Sequence, residues 1–302
     1  MARYFRDMLA LRQRNAQTLL CVGLDPLVEK IPKTMQWAKW WQRLLTKCIF
    51  PDFIRIFAHM AAVVDRTARY TSLFKPQVAH YEEVFLGTLG LYFLSRYIRY
   101  HYPDIPVFLD CKRGDIDRTQ RCYGNAWLGM FDFDGMNFSP YMGKSCMAAL
   151  YDASRPGKAL VGLCYTSNPD AREIQDLHLE NGKFLWEQIA ESIRHWSEEI
   201  GCRHDVGLVM AAAYFLDKKK GVVYDKHLKR LRELHGDFFW LLIPGIGTQG
   251  GIIEATVKAA YCGSGSMAIN SSSGICFAED PGVAAFRTSE DILAAFGGRS
   301  IR

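Results

Sequence analysis

Two carboxylates and an amine lie within six residues of one another in the run PVFLDCKRGDIDRT, at residues 106–119. Asp110 and Lys112 stand two apart at the end of an apolar segment, so on a β-strand their side chains would point the same way. Asp115 follows in the loop before a helical segment that begins near Thr119. Held together, such groups form a fixed array of charge that can stabilise charge developing on a reacting molecule.

The same cluster could instead be structural. Crowded charges are costly unless they pair, so the run could be a salt-bridge network that ties a loop to its strand. Polar residues recur, however, at or just beyond the ends of other apolar segments. Six positions share this placement: Asp25, Lys75, Asp110, Lys112, Thr166 and Gln249. Any one of them could cap a loop, but six together favour a common site.

Eight short apolar segments recur along the chain, each followed by turn residues and a longer segment with helical periodicity. They predict strands at residues 18–25, 71–77, 106–112, 135–139, 159–166, 206–212, 238–245 and 265–272. The runs LLCVGLD and WLLIPGIG lack polar alternation, which is typical of parallel strands buried on both faces. Eight such units favour closure into a (β/α)8 barrel over an open doubly wound sheet. In a barrel, the strand ends named above would meet at one face.

Helices are predicted at residues 51–70, 81–101, 119–131, 182–200, 224–235, 249–261 and 289–296. An extra amphipathic helix is predicted before the first strand, in MARYFRDMLALRQRN. The stretch 29–41, with Trp37, Trp40 and Trp41 at helix-like spacing, predicts an added helix packed on the barrel. We expect one domain over residues 1–302, because barrels of about 250 residues commonly form a single domain.

Composition argues against several other classes of protein. The chain is 49% hydrophobic and 23% charged, which is typical of a globular protein. Its net charge of +5 is small, and the basic clusters at 218–220 and 226–232 fit a solvated helix face, so no nucleic acid partner is expected. No segment approaches about eighteen consecutive apolar residues and no signal peptide is recognisable, so no membrane is expected. Nine cysteines without a CxxC pair suit a reducing cytosol and predict a cytoplasmic protein.

Metal and dinucleotide sites are also not expected. The eight histidines are scattered, with no HxH, HExxH or Cys/His spacing typical of a catalytic metal. The glycines of GIGTQGG follow the seventh predicted strand and form no GxGxxG pattern. A turn that cradles a phosphate explains them better.

The pattern Asp-x-Lys-x-x-Asp after an apolar strand resembles the signature of the orotidine 5′-phosphate decarboxylases, and similar segments follow in order along most of the chain. They are LCVGLDP (20–26), LFKPQVAHYE (73–82), LCYTSNPDARE (163–173), LLIPGIGTQGG (241–251) and AINSSSGI (268–275). The second of these resembles the longer bacterial branch of that family. The resemblance implies a (β/α)8 barrel that converts orotidine 5′-phosphate to UMP, the last step of de novo pyrimidine synthesis, without a metal or an organic cofactor.

The resemblance also implies residue roles. Lys112 would stabilise and then protonate the carbanion that loss of CO₂ leaves at C6, beside Asp110, while Lys75 would bridge the acids and the ribose. Asp115 would come from the other subunit of a homodimer, so that the site is complete only in the dimer. The implied substrate-binding positions are Asp25 at the ribose, Thr166 and Ser167 at the pyrimidine, Gln249 near the phosphate, and Gln77, Thr119, Ser273 and Gly274.

Two segments depart from the family's pattern. Its members in this branch usually read Asn-Ser-Ser-Arg-Gly-Ile at the last strand, where the arginine clamps the substrate phosphate; Ser273 stands there in this chain. Losing a two-pronged charged contact would weaken binding on the order of a hundredfold or more. Arg287 or another loop cation could replace it, or the chain could have drifted toward weak activity or another ligand. Ala211 and Ala213 stand where a glycine and a threonine are common.

Two other functions stay open. A sugar-phosphate decarboxylase or aldolase of the same superfamily also carries Asp-x-Lys-x-x-Asp but needs Mg²⁺, although Lys75 and the TSN run argue against it. A catalytically silent nucleotide-binding protein is the second alternative, raised by Ser273.

Overall fold

The computed structural model describes residues 4–246 and 251–302. Its strands in chain order are β1 Leu20–Leu24, β2 Leu73–Pro76, β3 Phe108–Arg113, β4 Gly135–Phe138, β5 Ala159–Tyr165, β6 Val206–Met210, β7 Tyr214–Asp217, β8 Val222–Tyr224, β9 Trp240–Ile243 and β10 Met267–Ser271. Within those ranges eight strands form one parallel sheet in the order β2, β1, β10, β9, β6, β5, β4, β3. β7 and β8 form a separate antiparallel hairpin.

The two ends of the large sheet, β2 and β3, approach each other and close the barrel. Parallel bridges join Phe74 to Val107 and Gln77 to Asp110. The backbone N–H of Val78 also donates to the carbonyl oxygen of Asp110 at 3.0 Å. The prediction of a (β/α)8 barrel is confirmed, and each of the eight predicted segments overlaps one barrel strand; only β3 runs beyond its predicted segment, by one residue.

The helices surround this sheet, and their bounds are α1 Phe5–Ala16, α2 Trp40–Leu45, α3 Asp52–Thr67, α4 Ala79–Glu82, α5 Gly87–His101, α6 Asp117–Gly124, α7 Lys144–Ala148, α8 Ala171–Gln175, α9 Leu185–Ile200, α10 Lys226–His235, α11 Ile253–Ala260, α12 Ser273–Cys276 and α13 Pro281–Ala294. A π-helical turn, Asn125–Met130, continues α6. No helix in the described part of the chain is long and apolar enough to cross a membrane.

Helix α1 is the predicted extra N-terminal helix, and it packs against the interior of the barrel. The Phe5 ring lies 4.7 Å from Trp240 and 6.2 Å from Phe108, measured between ring centroids. Phe5 and Leu9 are fully buried in a cluster with side chains of the barrel strands. A helix placed here closes one end of the barrel, so a ligand has to enter at the other end.

The largest differences from the predicted helix bounds concern two helices. The helix predicted at 81–101 is two helices, α4 and α5, because Leu86 adopts a left-handed backbone with φ of 58°. The helix predicted at 289–296 begins much earlier, at Pro281. The carboxylate of Asp280 accepts from the N–H groups of Gly282 and Val283, which is a helix start that the pair Asp280-Pro281 signals in the sequence.

The tryptophan-rich stretch contributes one short helix, α2, rather than a helix through all three tryptophans. Trp41 packs on Phe57 and Tyr97 at centroid distances of 6.2 and 5.9 Å. Trp40 is 71% exposed, and Trp37 precedes the helix. The prediction is therefore right only in part: an added helix is present, but it begins at Trp40, near the end of the predicted stretch, and does not include Trp37.

Candidate active site

A cavity of about 470 Å³ opens where the barrel strands end. Nine of the twelve predicted site residues line it: Asp25, Lys75, Gln77, Asp110, Lys112, Thr166, Ser167, Ser273 and Gly274. Asp115 and Thr119 are not among the described lining residues, and Gln249 lies outside the described residues. The strand-end placement in the sequence therefore brings most of the predicted residues to one site.

Asp110 stands at the centre of the charged cluster. Its Oδ1 accepts from Lys112 Nζ at 2.6 Å, and its Oδ2 accepts from Lys75 Nζ at 3.0 Å. Lys75 Nζ also lies 3.9 Å from Asp25 Oδ1. The Lys75 side chain is only 5% exposed, while that of Lys112 is 46% exposed. The result is a chain of alternating charges, with one ammonium held inside and one facing the cavity.

This arrangement fixes the ionisation of its buried members. Burial alone would raise the pKa of the Asp110 carboxyl, but Lys75 and Lys112 outweigh burial and hold that pKa well below its usual range. Burial alone would lower the pKa of the Lys75 ammonium, but the carboxylates of Asp110 and Asp25 raise it above its usual value. Both groups are therefore charged at neutral pH.

Asp25 is held by hydrogen bonds from two neighbouring elements. Its Oδ1 accepts from the backbone N–H of Gln77 at 3.1 Å, and its Oδ2 accepts from Ser272 Oγ at 2.5 Å. Ser272 can come this close because Gly23 has no side chain; a Cβ there would lie 2.6 Å from the Cβ of Ser272. Gln77 therefore serves Asp25 through its backbone, while its side chain accepts from the N–H of Ala79.

Asp110 and Lys112 meet for a different reason from the one that strand alternation predicts. The pairing of β3 with β4 shifts between Leu109 and Arg113, so β3 contains a bulge there. Lys112 has a left-handed backbone, with φ of 47°. The bulge, not the two-residue period, turns the ammonium of Lys112 back onto the carboxylate of Asp110.

The segment after β5 forms a polar wall of the cavity. Thr166 donates its backbone N–H to Gln175 Oε1 at 2.8 Å and its hydroxyl to Asn168 Oδ1 at 2.7 Å. Gln175 Nε2 donates back to Thr166 Oγ1 at 2.8 Å. Ser167 lines the cavity beside them. These hydrogen bonds hold the backbone and side chain of Thr166 in place, and so they also fix the position of the next residue, Ser167, at the cavity.

A second cavity of about 510 Å³ adjoins the first, since Thr166, Ser167, Asn168 and Gly245 line both. Arg172 and Lys218 contribute positive charge to its lining. The Arg172 guanidinium lies over the ring of Tyr214 at 4.7 Å. Arg287, suggested by the sequence as a replacement cation, lies on α13 and is not among the described residues that line either cavity.

Asp115 and Thr119 follow Lys112 closely in the chain but lie outside the described lining of the cavity. Asp115 is half-buried and accepts the backbone N–H of Ile116 through Oδ1 at 2.8 Å, while Thr119 is exposed on α6. Large apolar side chains stand exposed on the segments that follow β2, β3 and β4: Phe85 (87%), Leu86 (47%), Ile116 (48%), Tyr141 (94%) and Met142 (51%). Because these three strands are neighbours in the barrel, the exposed side chains flank the segment that carries Asp115.

Sequence reasoning missed several residues of the site. Asn137 bonds to Asp110, Ser272 bonds to Asp25, and Arg172 lines the adjoining cavity. Asn137 carried one available signal, because an amide inside the strand run GMNF is unusual in a buried parallel strand. Arg172 and Ser272 both lie within segments that resemble the family, but neither spacing nor pattern distinguishes them from loop residues.

The closed barrel with a cluster of lysines and carboxylates at its open end defines a class, that of (β/α)8 barrel enzymes. The chain matches the orotidine 5′-phosphate decarboxylase / HUMPS family over residues 18–288, and it belongs to that family. The orotidine 5′-phosphate decarboxylase of Cupriavidus metallidurans is 35% identical over 275 residues, which cover 91% of this chain and 89% of the relative. The same enzyme of Ralstonia nicotianae is 36% identical over 277 residues, covering 91% and 90%.

Solved structures agree with this assignment. The chain superposes on Leishmania donovani UMP synthase with a TM-score of 0.77 and 30% identity over 99% of this chain. It spans 57% of that longer protein. An orotidine monophosphate decarboxylase structure from the same organism gives a TM-score of 0.74 and 30% identity, and the match covers 98% of this chain and 100% of that one.

Proposed function

We propose that this protein is a carboxy-lyase that converts orotidine 5′-phosphate to UMP and CO₂. Membership of the family and the barrel fold support the reaction class. The observation that carries the proposal is the contact at the cavity between the exposed Lys112 ammonium and the carboxylate of Asp110, whose side chain is 13% exposed. It supplies a cation, and a proton, beside a site for a departing carboxylate.

In the proposed reaction the bond between C6 of the pyrimidine and its carboxylate breaks. CO₂ leaves, and the electron pair remains on C6 as a carbanion with little delocalisation. The Lys112 ammonium stabilises that charge and then donates a proton to C6, after which its neutral amine regains a proton from water. Asp110 and Lys75 keep the charge array in place before the substrate arrives, so that little reorganisation is needed in the transition state.

The neutral parts of the substrate would lie along the polar walls. The ribose would lie against Asp25 and Lys75, which both line the cavity, and its hydroxyls would accept hydrogen bonds from Lys75 and donate them to Asp25. Thr166 and Ser167 would face the pyrimidine across the cavity from the charged cluster. Gln77 would act by holding Asp25, since its backbone N–H is bonded there.

Because residue 273 is a serine and not an arginine, other residues must supply the positive charge that binds the phosphate. Ser273 and Gly274 line the cavity, but a serine brings no charge. Within the described residues, the cations of the two joined cavities other than Lys75 and Lys112 are Arg172 and Lys218. We propose that these two attract the phosphate, because opposite charge lowers the cost of placing a dianion in the cavity.

We further propose a cytoplasmic homodimer of one-domain subunits in which Asp115 completes the partner's site. Two observations support the dimer. Asp115 follows Lys112 by three residues and yet is not within the described lining of the cavity, and exposed apolar side chains such as Phe85 and Tyr141 flank its segment. Thr119 lies on the same segment and would enter the partner's site together with Asp115. The free thiols of all nine cysteines fit a reducing compartment.

The test is direct. Purified protein, treated with EDTA, is mixed with orotidine 5′-phosphate, and the fall in ultraviolet absorbance is followed across substrate concentrations. Turnover to UMP that survives EDTA is expected. Turnover only after Mg²⁺ is restored would favour the sugar-phosphate branch, and tight UMP binding without any turnover would favour a silent nucleotide-binding protein.

A further inference from the structure

The bulge in β3 is filled by a side chain from the next strand. Between the pairs Leu109 with Met136 and Arg113 with Phe138, β3 advances four residues while β4 advances two. The residue of β4 that faces this irregular part of β3 is Asn137, which is 1% exposed. A strand that bulges loses ladder hydrogen bonds, so the polar groups it frees need other partners.

Asn137 supplies those partners with one atom. Its Oδ1 accepts from the backbone N–H of Cys111 at 2.8 Å and from the backbone N–H of Lys112 at 2.6 Å. Lys112 needs this support because a left-handed backbone is unfavourable for a residue with a side chain. The amide therefore fixes the backbone from which the Lys112 ammonium extends.

The other end of the same amide is bonded to the reacting cluster. Asn137 Nδ2 donates to Asp110 Oδ1 at 2.7 Å, the same oxygen that accepts from Lys112 Nζ at 2.6 Å. Asp110 Oδ2 is bonded to Lys75. One buried amide thus sets both the direction of the carboxylate and the position of the lysine, from a strand that carries neither.

We propose that Asn137 is a positioning residue for the decarboxylation, which holds Asp110 and Lys112 in the relative arrangement that the chemistry needs. This inference rests on the proposed function. Asn137 is not proposed to exchange a proton with the substrate; it acts through the two residues it bonds. Its loss should therefore lower kcat more than it raises KM.

The sharpest variant is Asn137→Asp, because aspartate has the same shape and keeps the acceptor for both backbone N–H groups. It replaces Nδ2, which donates to Asp110, with an oxygen. At high pH the new carboxylate and that of Asp110 then repel each other across the distance that the hydrogen bond spanned. As the pH falls the pair takes up one shared proton, and the donor is restored. The ratio of variant to wild-type kcat should therefore rise by about 10- to 100-fold as the pH is lowered from about 8.5 to about 5.5.

Asn137→Ala removes both halves of the amide and should lower kcat at every pH, by at least about tenfold. UMP lacks the carboxylate that leaves, so its binding, followed by calorimetry, should change by less than about threefold in both variants. Asn181→Asp is the matched control, since Asn181 is exposed in a loop, lines neither of the two cavities and also donates its Nδ2 to a side-chain oxygen, that of Gln188; its kcat ratio should not vary with pH.

A ratio for Asn137→Asp that does not change with pH overturns the inference, whether activity is high or low. So does a loss confined to KM or to UMP affinity, which would make Asn137 a binding residue. Failure of the proposed function looks different, because the wild-type protein itself would then show no turnover of orotidine 5′-phosphate.

Discussion

The two lysines of the charged cluster have different environments. The ammonium of Lys75 contacts two acids and its side chain is 5% exposed, whereas the ammonium of Lys112 pairs with Asp110 and its side chain is 46% exposed. A proton donor must reach the reacting carbon and then recover its proton from water, which only the exposed lysine can do readily. The buried lysine is better suited to keeping two carboxylates together. In the proposed mechanism Lys112 therefore supplies both the stabilising cation and the proton, while Lys75 holds the two carboxylates in place.

Lys112→Ala should remove both the nearby cation and the proton, so kcat should fall by roughly 10⁴-fold or more. Stopped-flow or long-time absorbance assays with orotidine 5′-phosphate measure the loss, and UMP binding checks that the variant keeps its cavity. Lys229→Ala is the control, because Lys229 is an exposed lysine on α10 that pairs with Asp225. Near-normal turnover by Lys112→Ala would remove this lysine from the mechanism.

At the scale of elements, the sequence predicts the strands better than the site they carry. Parallel strands buried on both faces give continuous apolar runs, so all eight were recognisable, and their ends placed Asp25, Lys75 and Asp110 together. The bulge in β3 was not predictable, because it depends on the side chain of Asn137, which is close in space but distant in sequence. The β7–β8 hairpin was missed for another reason. Its short strands are mostly exposed and show no regular alternation.

The positive charge of the second cavity comes from Lys218, in the turn between β7 and β8, and from Arg172 on α8. Arg172→Gln should raise the KM for orotidine 5′-phosphate about three- to tenfold and leave kcat nearly unchanged, because an exposed cation attracts the phosphate without touching the reacting carbon. Ser273→Arg, added to that variant, should lower the KM again. Steady-state kinetics at low and moderate salt measure both effects.

Arg194→Gln is the matched control for this prediction. Arg194 also stacks on an aromatic ring, that of Phe238 at 4.6 Å, but it lies on α9 and lines neither of the joined cavities. Equal effects of the two substitutions on KM, or no effect of Arg172→Gln, would mean that the phosphate is bound by other groups.

At the scale of the whole molecule, the proposed dimer makes each site depend on two chains. Lys112→Ala and Asp115→Ala should each be nearly inactive alone, because each damages every site. If Asp115 acts across the interface, mixing the two variants under conditions that exchange subunits should restore up to about one quarter of wild-type activity, since half of the mixed dimers' sites are intact. No recovery, in a mixture that mass spectrometry shows to contain mixed dimers, would place both residues in the same subunit's site.

Buried histidines should make the stability of the whole fold depend on pH. Burial lowers the pKa of His59 and of His227 to about 4, from an ordinary value near 6.5. Below about pH 6.5 these histidines take up protons in the unfolded chain, but in the folded chain they remain neutral until about pH 4. The stability present above pH 6.5 is therefore lost as the pH falls through this window. Each histidine should account for about 2 kcal/mol of unfolding free energy between pH 7 and pH 5.

Urea unfolding of wild type and of His59→Leu, at a fixed protein concentration, tests this dependence. The leucine cannot take up a proton, so the variant should lose less stability between pH 7 and pH 5 than the wild type, by about 2 kcal/mol. His195→Leu serves as the control, because the side chain of His195 is 68% exposed. Its pH dependence should follow the wild type. If the unfolding free energy of His59→Leu depends on pH as strongly as that of the wild type and of His195→Leu, then His59 is protonated with equal ease in the folded and unfolded chains. The acid sensitivity would then arise from other groups.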